Sequence, residues 1–295
     1  DGPAAPPPIE LFEHIVRLLI TAQDILVDYS SYPTAKIAEN SHKFRPLGLG
    51  YADLGGWLMS LGIPYDSDEA RALAASVTSL MTATAYSTSR ELADVVGRGP
   101  WLEANAECAQ GDLARVIRMH AATSDSAAED VRKRCSATSS AAQMADEIFA
   151  RAGVKWGFLC ELRDTLCVRN AQVTVIAPTG TIGLLMDCDA TGIEPVFSLC
   201  AHKKLAGGGS MRIPCRAAYA ALERAQWRAA RTPPGGTALA AAFDYIEKYG
   251  TIVGAPGVPV SCYPIFDTAS EAGGRCISAD GHLKMVAAIQ PFVSG

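Results

Sequence analysis

Apolar positions recur with a helical period through much of the chain. Leu11, Ile15, Leu18, Leu19, Ala22, Ile25 and Leu26 are spaced by threes and fours, with Glu13, Arg17, Thr21, Asp24 and Asp28 between them. That spacing predicts an amphipathic helix from Ile9 to Asp28, closed off by Pro33. Residues 1–8 hold four prolines and read as a loop or a cut end. Leu47, Leu49 and Tyr51 alternate with Gly48 and Gly50, which predicts a short buried strand that another backbone approaches closely. Pro46 biases Arg45 towards extended geometry. Ala52 to Leu61 reads as a short helix. A longer one follows from Ser67 to Val96, with Asp66 as cap, Glu69 three residues on, and Gly97 as its stop.

The middle of the chain is less regular. Trp101 to Cys108 reads as irregular, Leu113 to His120 as a short helix, and Thr123 to Ser140 as a polar surface excursion. Gln143 to Gly153 and Gly157 to Cys167 read as two helices. Further on, Val196 to Leu199 and Val258 to Phe266 have strand character. Gly207-Gly208-Gly209 must turn. Arg216 to Ala230, Phe243 to Tyr249 and His282 to Ile289 are helical, with a break at Pro233-Pro234-Gly235-Gly236.

One stretch organises the rest: RNAQVTVIAPTGTIGLLMDCDATGIEP, from Arg169 to Pro195. Gln172 to Ala177 is β-branched and apolar, as in a buried strand. Pro178, Thr179, Gly180 and Thr181 make a tight polar turn, and Ile182 to Met186 can start a helix. Backbone N–H groups at such a turn, the positive end of a helix and two threonine hydroxyls can converge on an anion. On pattern alone an ordinary strand-to-helix connection fits equally well. The Walker lysine is missing, so the turn is not a P-loop.

Composition narrows the options. The chain has 295 residues, with 49% hydrophobic and 19% charged, which suits a globular protein with a sizeable core. A net charge of −5 argues against general nucleic-acid binding. No apolar run is long enough to span a bilayer. Nine cysteines without a C-x-x-C pair read as mostly buried thiols of a reducing cytoplasm, not as a zinc site. His42 could act as ligand or base, but with no second ligand at metal spacing it reads as a surface or hydrogen-bonded histidine. Arg132, Lys133 and Arg134 read as a solvated basic face.

The central stretch resembles the phosphate-binding loop of the adenosylcobalamin-dependent (class II) ribonucleotide reductases. Ala177-Pro178-Thr179-Gly180-Thr181-Ile182, Met186-Asp187-Cys188-Asp189 and Gly192-Ile193-Glu194-Pro195 carry the likeness. Arg45-Pro46-Leu47-Gly48-Leu49-Gly50-Tyr51 and Lys203-Lys204-Leu205-Ala206-Gly207-Gly208-Gly209 extend it. The resemblance implies a helix-rich α/β fold, part of a ten-stranded α/β barrel. Residues 1–295 would be one partial catalytic barrel domain, truncated at both ends. It also implies a ribonucleotide substrate held at Pro178, Thr179, Gly180, Thr181 and Ile182, adenosylcobalamin as cofactor, a thioredoxin-type dithiol reductant, and a homodimer.

The family's radical motif, Asn-x-Cys-x-Glu, does not occur; Asn105-Ala106-Glu107-Cys108 has the wrong order. No cysteine here carries over as catalytic, no residue is assigned to a metal, and this chain by itself is expected to be inactive. Cys188 reads as a packed thiol beside Asp187 and Asp189. Ala190 stands where the family usually has Thr, and Thr268 where it usually has Cys. The competing reading is a non-catalytic nucleotide-binding or structural barrel segment.

Overall fold

The computed structural model describes residues 9–104, 106–162, 166–204, 207–230 and 236–294. The expectations for residues 1–8, for Asn105 and for the break at 233–235 lie outside them. In chain order the helices are α1 (Ile9–Tyr29), α2 (Ala35–Phe44), α3 (Leu54–Ser60), α4 (Asp68–Val96), α5 (Pro100–Ala104), α6 (Ala106–Arg134), α7 (Ser140–Glu161), α8 (Thr181–Leu185), α9 (Arg216–Ala230), α10 (Gly236–Tyr249) and α11 (Ala279–Ile289). Strands β1 (Cys200–Lys204) and β2 (Ser210–Pro214) form an antiparallel hairpin across the triple-glycine turn, where Gly208 and Gly209 have positive φ. The described residues fall into two compact units: those within 9–50, 72–176 and 288–294 form the first, and those within 51–71 and 177–287 the second.

In the first unit α6 packs along α7. Both helices are longer than their patterns predict. Leu113, Ile117, His120, Ser124, Ala128 and Val131 make one buried face along α6. Ser, Ala and His carry half of that face, so the expected excursion at 123–140 is helix as far as Arg134. Gly153 and Gly157 sit within α7 and do not divide it, because neither leaves the negative-φ backbone of the helix. Ser139 caps α7 through its hydroxyl. Buried Trp156 stacks on His120 at 5.5 Å and donates to Ser79 Oγ.

The Arg45–Tyr51 run and the Gln172–Ile176 run lie side by side, parallel, with Leu49 bridged to Thr174. The Leu47 and Leu49 N–H groups donate to Gln172 and Val173, and Val175 N–H returns to Leu49. Glycine is required here: a Cβ on Gly48 would lie 2.9 Å from Val175 Cγ1, and one on Gly50 2.6 Å from Val175 O. Behind this pair α4 buries Thr82 against Thr174 (3.1 Å) and Ser89 against Asn170 (2.8 Å). Among the described residues the regular sheet is two-stranded, so a closed ten-stranded barrel is not formed by them.

Other local expectations are overturned, the first being Trp101–Cys108, read as irregular but helical where it is described, in α5 and the start of α6. Arg45 is left-handed (φ 47°, ψ 50°), not extended, despite Pro46. That geometry sends its guanidinium inward to Asp24 (2.9 Å) and to both oxygens of Asp28 (2.7 and 2.9 Å). Ser67, not Asp66, caps α4, with Ala70 N–H donating to its hydroxyl, while Asp66 pairs with Arg71. Val260–Phe266 is a 3-10 helix, not a strand, with Pro264 inside it, where a strand would lose a ladder donor. Val196–Leu199 is likewise not a regular strand; β1 begins at Cys200.

The second unit has its own core, in which Met59, Leu199, Cys215, Ala218, Leu222, Ile246, Ile265 and Phe266 cluster. Helix α3 lies against α9 there. A Cβ on Gly55 would strike the 194–196 backbone at 2.7 Å, so the start of α3 and that segment are in direct contact.

Candidate phosphate turn

Every element of the candidate site belongs to the second unit. Gly180 caps α8 with φ 61° and ψ −126°, a conformation open essentially to glycine alone. Pro178, Gly180, Thr181 and Ile182 are exposed, and Thr179 is half-buried. The N–H groups of Thr181 and Ile182 belong to the first turn of α8, where no intrahelical acceptor exists. Among the described residues nothing else accepts from them.

The two threonines divide the work, contrary to the expectation that both hydroxyls add donors. Thr179 is committed: its N–H (2.8 Å) and its hydroxyl (2.9 Å) both donate to the Thr191 carbonyl. Thr181 remains at the open side of the turn. Gly183, four residues on, is buried, and a Cβ there would run into Thr179 Oγ1. Its N–H donates to Gly180 O, and its carbonyl accepts from Cys188 N–H at 2.9 Å.

A strap of residues 187–194 pins the turn from behind. Glu194 Oε1 accepts both the N–H and the hydroxyl of Thr191 at 2.6 Å. Asp53, in left-handed geometry (φ 63°), takes the N–H groups of Asp189 (3.0 Å) and Ala190 (2.9 Å) on one carboxylate oxygen. Its own N–H returns to Ala190 O, and Leu54 N–H goes to Gly192 O. The Tyr65 hydroxyl donates to Ile193 O at 2.7 Å. Asp189 caps α9 through the N–H groups of Arg216 and Ala217, and Asp187 pairs with the Arg216 side chain. The acidic residues of Met186-Asp187-Cys188-Asp189 therefore anchor the strap.

Electrostatics at the strap follows from burial. Desolvation pushes Asp53 up to about 6, against the donated N–H of Ala190 and with help from the Asp189 charge. Burial, then Asp53, Asp189 and Asp187, raise the Cys188 thiol. A thiol held protonated is a poor nucleophile, which agrees with a packed Cys188.

Sequence reasoning missed Asp53, Thr191, Glu194 and Gly183. Glu194 was visible only as part of a string, and Asp53 resembles an ordinary helix cap. The partners of Asp53 lie 136 and 137 residues away, beyond any local period, whereas Thr191 and Glu194 are three residues apart and their pairing is a contact of the folded turn, not of a helix or strand period. Elsewhere His42 is half-exposed, edge-on to Tyr32 and 3.8 Å from Asp28, as a hydrogen-bonding surface histidine would be. Arg132, Lys133 and Arg134 pair with Asp146, Glu129 and Asp130 on a solvated face. Thr268 is buried and donates to Ser270 O. No described helix is long and apolar enough to cross a membrane.

Comparison with known proteins agrees with the motif reading. The family described as "Ribonucleotide reductase, barrel domain" matches residues 8–295. A vitamin B12-dependent ribonucleotide reductase of Streptomyces clavuligerus is 42% identical over 287 residues, covering 97% of this chain and 27% of that protein. One from Streptantibioticus cattleyicolor is also 42% identical, covering 97% of this chain and 44% of its own length. One from Agrobacterium fabrum is 46% identical over 210 residues. This chain thus spans from about a quarter to under half of the first two relatives, and by its family match over residues 8–295 it belongs to the ribonucleotide reductases.

Proposed function

We propose that the protein containing this chain reduces ribonucleotides to deoxyribonucleotides, and that the turn Pro178, Thr179, Gly180, Thr181 and Ile182 holds the substrate phosphates. The observation that carries the reading is the turn itself. Exposed N–H groups at Thr181 and Ile182 sit beside a positive-φ glycine, on a loop fixed from behind by Thr191, Glu194 and Asp53. Anions are favoured at such a turn.

The names of the relatives support adenosylcobalamin as cofactor. When bound, it supplies the radical that starts the reaction. Among the described residues no group of three or more His, Cys, Asp or Glu converges as metal ligands. This chain's part is to bind and orient the nucleotide. Overall, the 2′ hydroxyl leaves as water, and a thioredoxin-type dithiol supplies two electrons and two protons and becomes a disulfide. The reducing cysteines are not assigned to this chain, and Cys188 serves packing. A cytoplasmic homodimer is part of the proposal.

Titration of the 295-residue chain with a ribonucleoside, its diphosphate and its triphosphate tests the turn. Each charge-assisted hydrogen bond contributes roughly 1.5–3 kcal/mol, so Thr181→Val should weaken both nucleotides about tenfold or more and leave the nucleoside unchanged. Equal loss for nucleoside and nucleotides would remove the phosphate assignment.

A further inference from the structure

Residues 191–194 close a small ring with their own side chains. Glu194 Oε1 accepts the N–H and the hydroxyl of Thr191, both at 2.6 Å. One carboxylate oxygen thus fixes both the backbone and the side chain of a single residue. The carbonyl of that residue accepts the N–H and the hydroxyl of Thr179, at 2.8 and 2.9 Å. Two doubly used acceptors therefore stand in series, and the second holds the residue just before Gly180. Gly192 lets the carboxylate fold back: a Cβ there would lie 2.9 Å from Glu194 Oε2 and 3.7 Å from Ala177 O. The carboxylate lies close to the backbone that enters the turn. Burial, then the Glu194 charge, raises the Tyr65 phenol, which donates to Ile193 O at 2.7 Å and holds the ring at its other end. Among the described residues no cation pairs with Glu194.

We propose that Glu194 is a positioning residue of the candidate phosphate turn, acting through Thr191 on Thr179 as a hydrogen-bond acceptor and not through its charge. The inference rests on the phosphate reading of the turn. A carboxylate without a cation repels an anion nearby, an effect that water and salt weaken. Its two accepted bonds act the other way: they hold Thr179, and with it the backbone leading into Gly180, in one geometry. The two contributions have opposite signs and can be separated. Glutamine at 194 keeps an oxygen for both Thr191 donors and removes the charge. Alanine removes both.

Titration calorimetry of the 295-residue chain with inorganic pyrophosphate, adenosine diphosphate and adenosine tests this. Glu194→Ala should weaken pyrophosphate and the diphosphate about tenfold and leave adenosine unchanged. Glu194→Gln should bind both anions at least as tightly as wild type. Where circular dichroism shows that Glu194→Ala does not fold, Thr191→Val takes its place. It loses only the hydroxyl, and it should weaken both anions and speed amide exchange at Thr179; unchanged anion affinity there overturns the proposal. Unchanged anion affinity in folded Glu194→Ala, with a wild type that prefers the diphosphate to adenosine, overturns the positioning role and leaves the phosphate reading standing. Equal losses in Glu194→Gln and Glu194→Ala also overturn it, because the charge is then what matters. A wild type that ignores pyrophosphate and binds the diphosphate no better than adenosine removes the phosphate reading, and this inference with it.

Discussion

Replacing Asp53 by Asn should stabilise the protein at neutral pH and leave it nearly unchanged in acid. The Asp53 carboxyl is held at about 6 in the folded chain, against an ordinary value of 3.8. A raised carboxyl pKa means the charged form is disfavoured in the fold. The stability this group gives is complete below the unfolded value and is lost as pH rises through about 6. Two pKa units correspond to about 3 kcal/mol at full value. Asp53 is only partly buried, and solvent screening reduces that to roughly 1–2 kcal/mol. Asparagine keeps the acceptor oxygen that takes the Asp189 and Ala190 N–H groups, and its amide can face the Asp189 carboxylate. It also tolerates the left-handed backbone at this position. Urea denaturation of wild type and Asp53→Asn at half-unit steps from pH 4 to 8 should show the two curves diverging above pH 5, with the variant higher. A variant that is less stable at every pH would show that the charge, and not the acceptor alone, holds the strap, and the burial argument would fail.

The Asp24–Asp28–Arg45–Arg169 cluster should behave in the opposite sense. Burial alone would raise Asp24, but bonds from Arg45, Arg169 and Asn170 outweigh it and lower its pKa, so its contribution is present at neutral pH and is lost as acid reaches the depressed value. Arg45→Met, which strands part of a buried ion network, should cost about 3 kcal/mol or more in the same urea assay, and a cost under about 1 kcal/mol would contradict the buried geometry. Gly183→Ala should cost roughly 2 kcal/mol by pushing Thr179 off the Thr191 carbonyl, and Thr179→Ala in the same chain should recover part of it; additive costs in that double-mutant cycle would exclude the contact. Cys188 should react with iodoacetamide at pH 7.5 more slowly than exposed Cys276, because burial and three carboxylates keep it protonated; faster reaction at Cys188 would count against its packing role.

The parts of the fold legible in the sequence were those whose signal is local. Helix α4 was visible from its stripe and from Gly97, whose φ of 92° is the left-handed stop expected there. The close approach at Gly48 and Gly50 was visible because only glycine leaves room for Val175. Local period also identified α1 as a helix, yet it could not say which face turns inward. That choice depends on Arg151 and Lys155 reaching Glu13, and on Arg45 and Arg169 reaching Asp24, from up to 145 residues away. Four cations hold Glu13 and Asp24 on the buried side with Val16, Ile20 and Val27, and the leucines are left outward.

The candidate phosphate turn has the same limit. Its wording located Pro178–Ile182, but the role of each threonine follows from Thr191, twelve residues on, and from Asp53, more than a hundred residues back. A short turn could not hold a positive-φ glycine and free N–H groups in place by itself. The strap supplies that rigidity, so specificity for an anion at this turn should depend as much on Glu194 and Asp53 as on the residues an anion would touch.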